Sequence, residues 1–170
     1  MDVPLDTVRK DVVALLPRLR RFALSLTGNA SDADDLVQDA VERALRNLDR
    51  WQQGTRLDSW MFRLTQNLWI DAVRARKVRK AEPLDDVAAE RASIDGARAA
   101  EAQLAFGATC AALAKLPDEQ RVVVGLVCVE GMSYRDAADV LGVPVGTLTS
   151  RLFRARAALA AALDPSEVVS

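Results

Sequence analysis

The stretch from Gly131 to Leu163, GMSYRDAADVLGVPVGTLTSRLFRARAALAAAL, leaves the chain little freedom in how it folds. Ser133 can cap a helix start, and Asp136 three residues later completes an S-x-x-D capping box. Ala137, Ala138, Val140 and Leu141 then supply a small apolar face. Gly142 accepts the left-handed backbone that ends a helix, and Val143-Pro144 cannot continue it. After Gly146, Leu148, Leu152, Ala155, Leu159 and Leu163 fall on one helical stripe, while Thr147, Ser150, Arg151 and Arg154 share the opposite face. The spacing therefore predicts two helices joined by a short, stiff turn, the second with one packing face and one free basic face.

This is the pattern of a helix-turn-helix, whose second helix enters the DNA major groove. The same residues also fit an ordinary helical hairpin with a solvated basic face, so the choice rests on the remainder of the chain. A net charge of -1 over 170 residues excludes a uniformly basic coat, and any affinity for nucleic acid must come from local clusters. The charge is segregated. Ser31 to Asp49 is acidic, 74–80 carries Arg74, Arg76, Lys77, Arg79 and Lys80 with no acid, and Glu82 to Asp95 is acidic again. There is no histidine, and Cys110 and Cys128 lack metal-site spacing, so zinc and histidine-based catalysis are excluded. Both cysteines read as buried free thiols in a reducing compartment. No secretory signal or membrane-length apolar run is present, and the expected location is the cytoplasm, without membrane insertion.

Taken in order, Leu5 to Leu26 has helical periodicity, with Pro17 predicting a kink or break. Thr27 to Ala30 ends that helix, and Ser31 with Asp34 reads as the capping box of the next. The second helix turns Leu36, Val37, Ala40, Val41, Ala44, Leu45 and Leu48 inward and Asp32, Asp35, Gln38, Asp39 and Glu42 outward. Its first acids suit the positive end of a helix, which by itself explains them as well as a partner does. Trp51, in the polar loop Asp49 to Thr55, either plugs the core or offers a stacking surface. Leu57 to Lys80 forms a long helix with Trp60, Met61, Leu64, Leu68 and Ala72 on the expected buried face. Arg63, Gln66, Asn67, Ile70 and Arg74 mark the other side. Aromatics, amides and arginines together suit single-stranded nucleic acid, although Phe62 and Trp69, taken one by one, fit a plain core better.

Ala81 to about Ile94 reads as a solvated acidic linker. A helix from about Gly96 to Lys115 follows, with Leu104, Ala108 and Ala111 on one stripe and Phe106, Cys110 and Leu113 on the next. Leu116-Pro117-Asp118-Glu119 starts another, packing through Val122, Leu126 and Val129 until Gly131. No strand alternation is found, so the fold class is all-α: two small helical domains, 1–80 and 96–170, joined by the linker 81–95.

The combination resembles the extracytoplasmic-function, or group IV, sigma factors of bacterial RNA polymerase over nearly the whole chain. D-A-D-D-L-V-Q-D at Asp32 to Asp39 and L-D-S-W-M-F-R-L-T-Q-N-L-W-I-D at Leu57 to Asp71 are similar to sigma region 2. L-P-D-E-Q-R from Leu116 and G-V-P-V-G-T-L-T-S-R-L-F-R-A-R from Gly142 are similar to region 4. The resemblance implies that Asp34, Asp35, Gln38 and Asp39 bind the clamp coiled coil of the core polymerase's largest subunit. It implies that Trp51 and Asn67 serve a flipped base of the promoter −10 element, with Arg74, Arg76 and Lys77 near its backbone and Arg63 also among the −10 contacts. Arg151 and Arg154 are then expected to read the −35 duplex, with Thr147, Thr149, Ser150 and Arg156 beside them. Thr149 departs from the pattern, since many relatives carry lysine there. Core RNA polymerase, promoter DNA and an anti-sigma factor are the implied partners. No cofactor and no enzymatic activity are expected. The competing reading is a stand-alone helix-turn-helix regulator, which leaves Asp35, Trp51 and Asn67 without a role.

Overall fold

The computed structural model describes residues 4–80 and 97–164, with side chains placed at 4–80 and 101–164; the expected linker lies outside them. Three helices form the N-terminal half: α1 (Leu5–Thr27), α2 (Ala30–Arg46) and α3 (Leu57–Lys80). Four form the C-terminal half: α4 (Ala97–Ala114), α5 (Asp118–Val124), α6 (Tyr134–Leu141) and α7 (Val145–Ala162). A short 3-10 turn, Leu48–Arg50, precedes the loop into α3, and a π-helical turn, Gly125–Val129, continues α5. Among the described residues there is no strand, as the periodicity predicts.

Pro17 neither breaks nor ends α1, which runs from Leu5 to Thr27. Pro17 and Val13, four residues earlier, are both exposed, so the carbonyl deprived of its N–H partner lies on the solvent side, where water can satisfy it. The opposite stripe, including Val8, Val12, Leu19, Phe22 and Leu26, is buried. Gly28 closes the helix at φ 75°, its N–H donating to the Leu24 carbonyl at 2.9 Å. That left-handed residue delivers an extended Asn29, whose side chain accepts the Asp32 N–H at 2.9 Å. The cap of α2 is therefore Asn29 rather than Ser31, which lies within the first turn. Asparagine caps as well as serine, and the preceding glycine fixes the position.

The buried stripe of α3 is rotated from the expected one. Met61, Phe62, Thr65 and Trp69 form its centre; Trp60, Leu64 and Leu68 are at the margin, and Ala72 is exposed. Phe62 meets Phe22 of α1 edge-on, with ring centroids 5.3 Å apart at 80°. Trp69 is covered by Arg121 of α5, whose guanidinium carbon lies 5.6 Å from the ring centroid. The rotation follows from this second neighbour, which the periodicity of α3 alone does not reveal.

In the C-terminal half the helix-turn-helix forms as its turn residues dictate. Ser133 Oγ accepts the Asp136 N–H at 3.0 Å, Gly142 takes φ 64°, and Pro144 precedes α7, which buries Leu148, Leu152 and Ala155. Val122 and Leu126 are buried, but Val129 is not. The Glu130 N–H reaches back to the Gly125 carbonyl at 3.0 Å, and this wider turn shifts the helical phase and rotates Val129 outward. Among the described side chains of α4, the buried ones, Ala112 and Leu113, lie at its end; Leu104 is 76% exposed and Phe106 49%. Cys110 is half-buried and Cys128 exposed, contrary to the expectation of buried thiols, because their helices meet the rest of the molecule on other faces. The two halves contribute to one continuous core, in which Phe22, Phe62 and Trp69 join Leu116, Val122 and Leu126.

The corrected cap has a measurable consequence. Asn29→Ala should lower unfolding stability by about 1 kcal/mol, whereas Ser31→Ala should change it by less than about 0.5 kcal/mol. Urea denaturation of the two variants beside the parent chain checks the assignment.

Candidate protein and nucleic-acid interfaces

The acidic face of α2 stands clear of the core because Ala33, Leu36, Val37 and Ala40 occupy its inner side. Asp34, Asp35, Gln38 and Asp39 are all exposed. Asp34 accepts from Arg20 Nε at 2.6 Å, and this hydrogen bond holds its carboxyl below the ordinary carboxylate value. Three polar side chains and one arginine-anchored carboxylate thus line one face of a rigid helix.

The second group lies on α3 and the loop before it. Trp51 is half-buried, yet its indole N–H is fully enclosed with no hydrogen-bond acceptor. The adjoining loop is folded back by Thr55, whose N–H and hydroxyl both donate to the Gln52 carbonyl. Asn67, Arg74 and Arg76 are exposed along α3. Arg63 is placed differently from expectation: its Nε donates to the Val140 carbonyl at 3.0 Å and an Nη donates to the Asp139 carbonyl. It therefore occupies the negative end of α6, where its charge is favoured. Lys77 pairs with Asp118 of α5 at 2.9 Å.

The third group lies on α7. Ser150, Arg154 and Arg156 are exposed and Thr147 is half-buried. Thr149 donates its hydroxyl proton to the Val145 carbonyl at 2.8 Å. A hydrogen bond to Cys128, with Tyr134 nearby, raises the Arg156 pKa above its usual value. Arg151 is 24% exposed and pairs with Glu119 at 3.1 Å. Phe153, 76% exposed among these residues, is the aromatic that periodicity overlooked because it belongs to no apolar stripe.

Asn67, Arg74 and Lys77 share an open cleft of about 740 Å³ with Arg151, so members of the second and third groups face one space. Arg43 and Glu119 also line it, which gives Glu119 a place beyond that of a helix-start acid. Among the described residues, no cluster of three potential metal ligands assembles.

Between the halves, Arg56 bridges Asp58 and Asp136, each at 2.9 Å. Burial pushes the Asp58 carboxyl up, but hydrogen bonds from Arg56 and the Ser59 N–H, together with the charges of Arg56 and Arg18, bring it below 3.8. Asp136 is lowered by Arg56, then by Ser133. A depressed carboxylate contributes stability above its unfolded pKa and loses that contribution as pH falls through the folded one. The melting temperature should therefore drop from about pH 5 to about pH 3, and Asp58→Asn should flatten part of that decline. Calorimetry across this range measures both slopes.

Comparison with known proteins places this geometry in a family. Residues 12–79 match the model of sigma-70 region 2, and residues 111–159 match that of sigma-70 region 4. The chain is 44% identical over 158 residues to the ECF RNA polymerase sigma factor EcfG of Rhodopseudomonas palustris, spanning 93% of this chain and 86% of that protein. It is 37% identical over 146 residues to the ECF sigma factor SigM of Mycobacterium tuberculosis, spanning 84% and 70%. The sigma factor RpoE from Bartonella quintana, solved with the anti-sigma factor NepR, superposes with a TM-score of 0.74 at 30% identity, covering 94% of this chain and 98% of that one. CnrH, solved with the cytosolic domain of CnrY, gives 0.72 at 28% identity, covering 98% and 92%. With both sigma regions in order along one helical chain, this protein belongs to the ECF RNA polymerase sigma factors, the alternative sigma factors that direct transcription initiation.

Proposed function

We propose that the chain acts as a two-point grip on promoter DNA, held to core polymerase by a third surface. Residues 1–80 form the melting domain and 96–170 the duplex-reading domain. On α2, Asp34, Asp35, Gln38 and Asp39 bind the clamp coiled coil of the largest polymerase subunit. Trp51 and Asn67 hold a flipped −10 base, with Arg63, Arg74, Arg76 and Lys77 beside the strand. Extruding a base costs a few kcal/mol of stacking, which a preformed pocket must return. On α7, Arg151 and Arg154 read the −35 duplex, flanked by Thr147, Thr149, Ser150 and Arg156 at the groove edge.

The observation carrying this reading is that α3 presents an exposed amide and a run of cations while α7, on the other half, presents a second basic face. A lone helix-turn-helix regulator needs only the second. The enclosed indole N–H of Trp51, without an acceptor, also supports a loop that changes contacts on binding. Arg63, Lys77 and Arg151 are engaged within the protein and must exchange those partners for DNA. An anti-sigma factor is a further proposed partner, because the RpoE structure that this chain resembles is a complex with one. Among the described residues no helix is long and apolar enough to cross a membrane. A factor working with polymerase on promoters belongs in the cytoplasm.

Transcription in vitro with and without core polymerase tests the proposal: transcript should require both proteins. Tight promoter binding by the chain alone, with no transcript on adding core, would sink it. Asn67→Ala should impair open-complex formation, followed by permanganate reactivity, while core binding stays intact. Arg151→Ala should weaken −35 duplex binding by about 1–3 kcal/mol, read in a gel-shift titration.

A further inference from the structure

The side-chain ion pairs that cross between the two halves run in one direction. Arg18 and Arg21 of α1 meet the Glu130 carboxylate at 3.2 and 3.5 Å. Arg56 meets Asp136, and Lys77 meets Asp118. In each of these ion pairs the cation belongs to the N-terminal half and the carboxylate to the C-terminal half. Arg63 adds two hydrogen bonds to carbonyl oxygens at the end of α6. The chain's net charge of -1 conceals this arrangement, in which one side of the seam supplies the cations of the ion pairs and the other their carboxylates.

Two features show a fitted contact rather than a loose one. The Glu130 side chain is 0% exposed, so its charge depends on the two arginines facing it. At Gly125 a Cβ would lie 2.8 Å from both the Phe22 ring and Ser25 Oγ, so α1 crosses the π turn at a distance only glycine permits. The exposed face of α2 takes no part in the seam and stays accessible while it is closed.

We propose that this seam is an autoinhibitory clasp. The C-terminal half engages two of the cations that the N-terminal half uses for DNA, Lys77 and Arg63, so the free factor rests closed. Polymerase docks first on α2, and opening follows. The inhibitory role rests on the proposed function above, since it takes α2 as the docking surface and Arg63 and Lys77 as DNA contacts. Opening consumes part of the binding free energy, and the apparent affinity for core is reduced by the closed-to-open ratio.

Two substitutions outside the proposed binding surfaces break the clasp by different means. Glu130→Arg sets a third cation against Arg18 and Arg21, and Gly125→Val inserts a side chain where α1 crosses. Small-angle X-ray scattering should show a larger radius of gyration for each, with far-ultraviolet circular dichroism unchanged. Adding Arg21→Glu to Glu130→Arg should restore part of the compaction. Both open variants should bind core polymerase more tightly, about tenfold for a ten-to-one closed preference. The parent chain should also expand as salt rises from about 0.05 to 1 M, because the more exposed pairs are screened. A radius unchanged by both substitutions and by salt overturns the clasp, as does expansion with unaltered affinity for core. If neither parent nor variants bind core, the functional reading fails and the inhibitory role with it, while scattering alone still decides whether the seam is held by these contacts.

Discussion

The arrangement of the two halves depends on one close approach, that of α1 over Gly125. With no side chain at that point, the Phe22 ring and Ser25 settle directly on the π turn. The contact sets the height at which everything nearby must meet. Glu130, at the end of the π turn, arrives between Arg18 and Arg21. Arg121, one turn earlier, reaches the end of α1 and donates from Nε to the Ser25 carbonyl at 3.2 Å, while lying over Trp69. Burial lowers the Arg121 pKa, and the carbonyl end of α1 and the aromatic face offset part of that cost.

Apolar contact holds the halves together, and charge selects how they meet. An exposed ion pair contributes about 0–1 kcal/mol, so Lys77 with Asp118 adds little strength. Burying large apolar side chains contributes about 1.5–3 kcal/mol each, and Phe22, Phe62, Val122 and Leu126 lie in the shared core. The Glu130 carboxylate matters in another way: burial raises its pKa against the pull of Arg21 and Arg18, so it tolerates no arrangement that removes them. Register, with a modest closing bias that salt can screen, is what the cross-seam charges supply.

What could be read in the sequence was what depends on near neighbours. The helix-turn-helix was legible because Ser133, Gly142 and Pro144 each act within a few residues of themselves. The span of α3 was legible from Leu57 to Lys80 for the same reason, and so was the exposure of Asp35, Gln38 and Asp39. Its inner face was not, because Trp69 is buried by Arg121 from a distant part of the chain. Val129 was misplaced because a π turn breaks the 3.6-residue phase that periodicity assumes. Pro17 leaves α1 unbroken because water can satisfy the freed carbonyl on its wet face. Arg63 is the main departure at the candidate site. Its neighbours in sequence pointed to a free basic residue, and only the fold brings the carbonyls of Asp139 and Val140 within its reach.

The back-bonded hydroxyl of Thr149 has a consequence for the chemistry that α7 can present. Its proton is committed to the Val145 carbonyl, so towards solvent the residue offers lone pairs and a methyl group. Such a side chain can accept from the amino group of adenine or cytosine, or pack against the methyl of thymine. Donating to the carbonyl oxygen of guanine would require giving up the bond to Val145. A lysine at this position, which the family resemblance leads one to expect, would be donor only. One substitution thus inverts the sense of hydrogen bonding at a single point on the helix, and a base edge that suits one residue there is mismatched to the other.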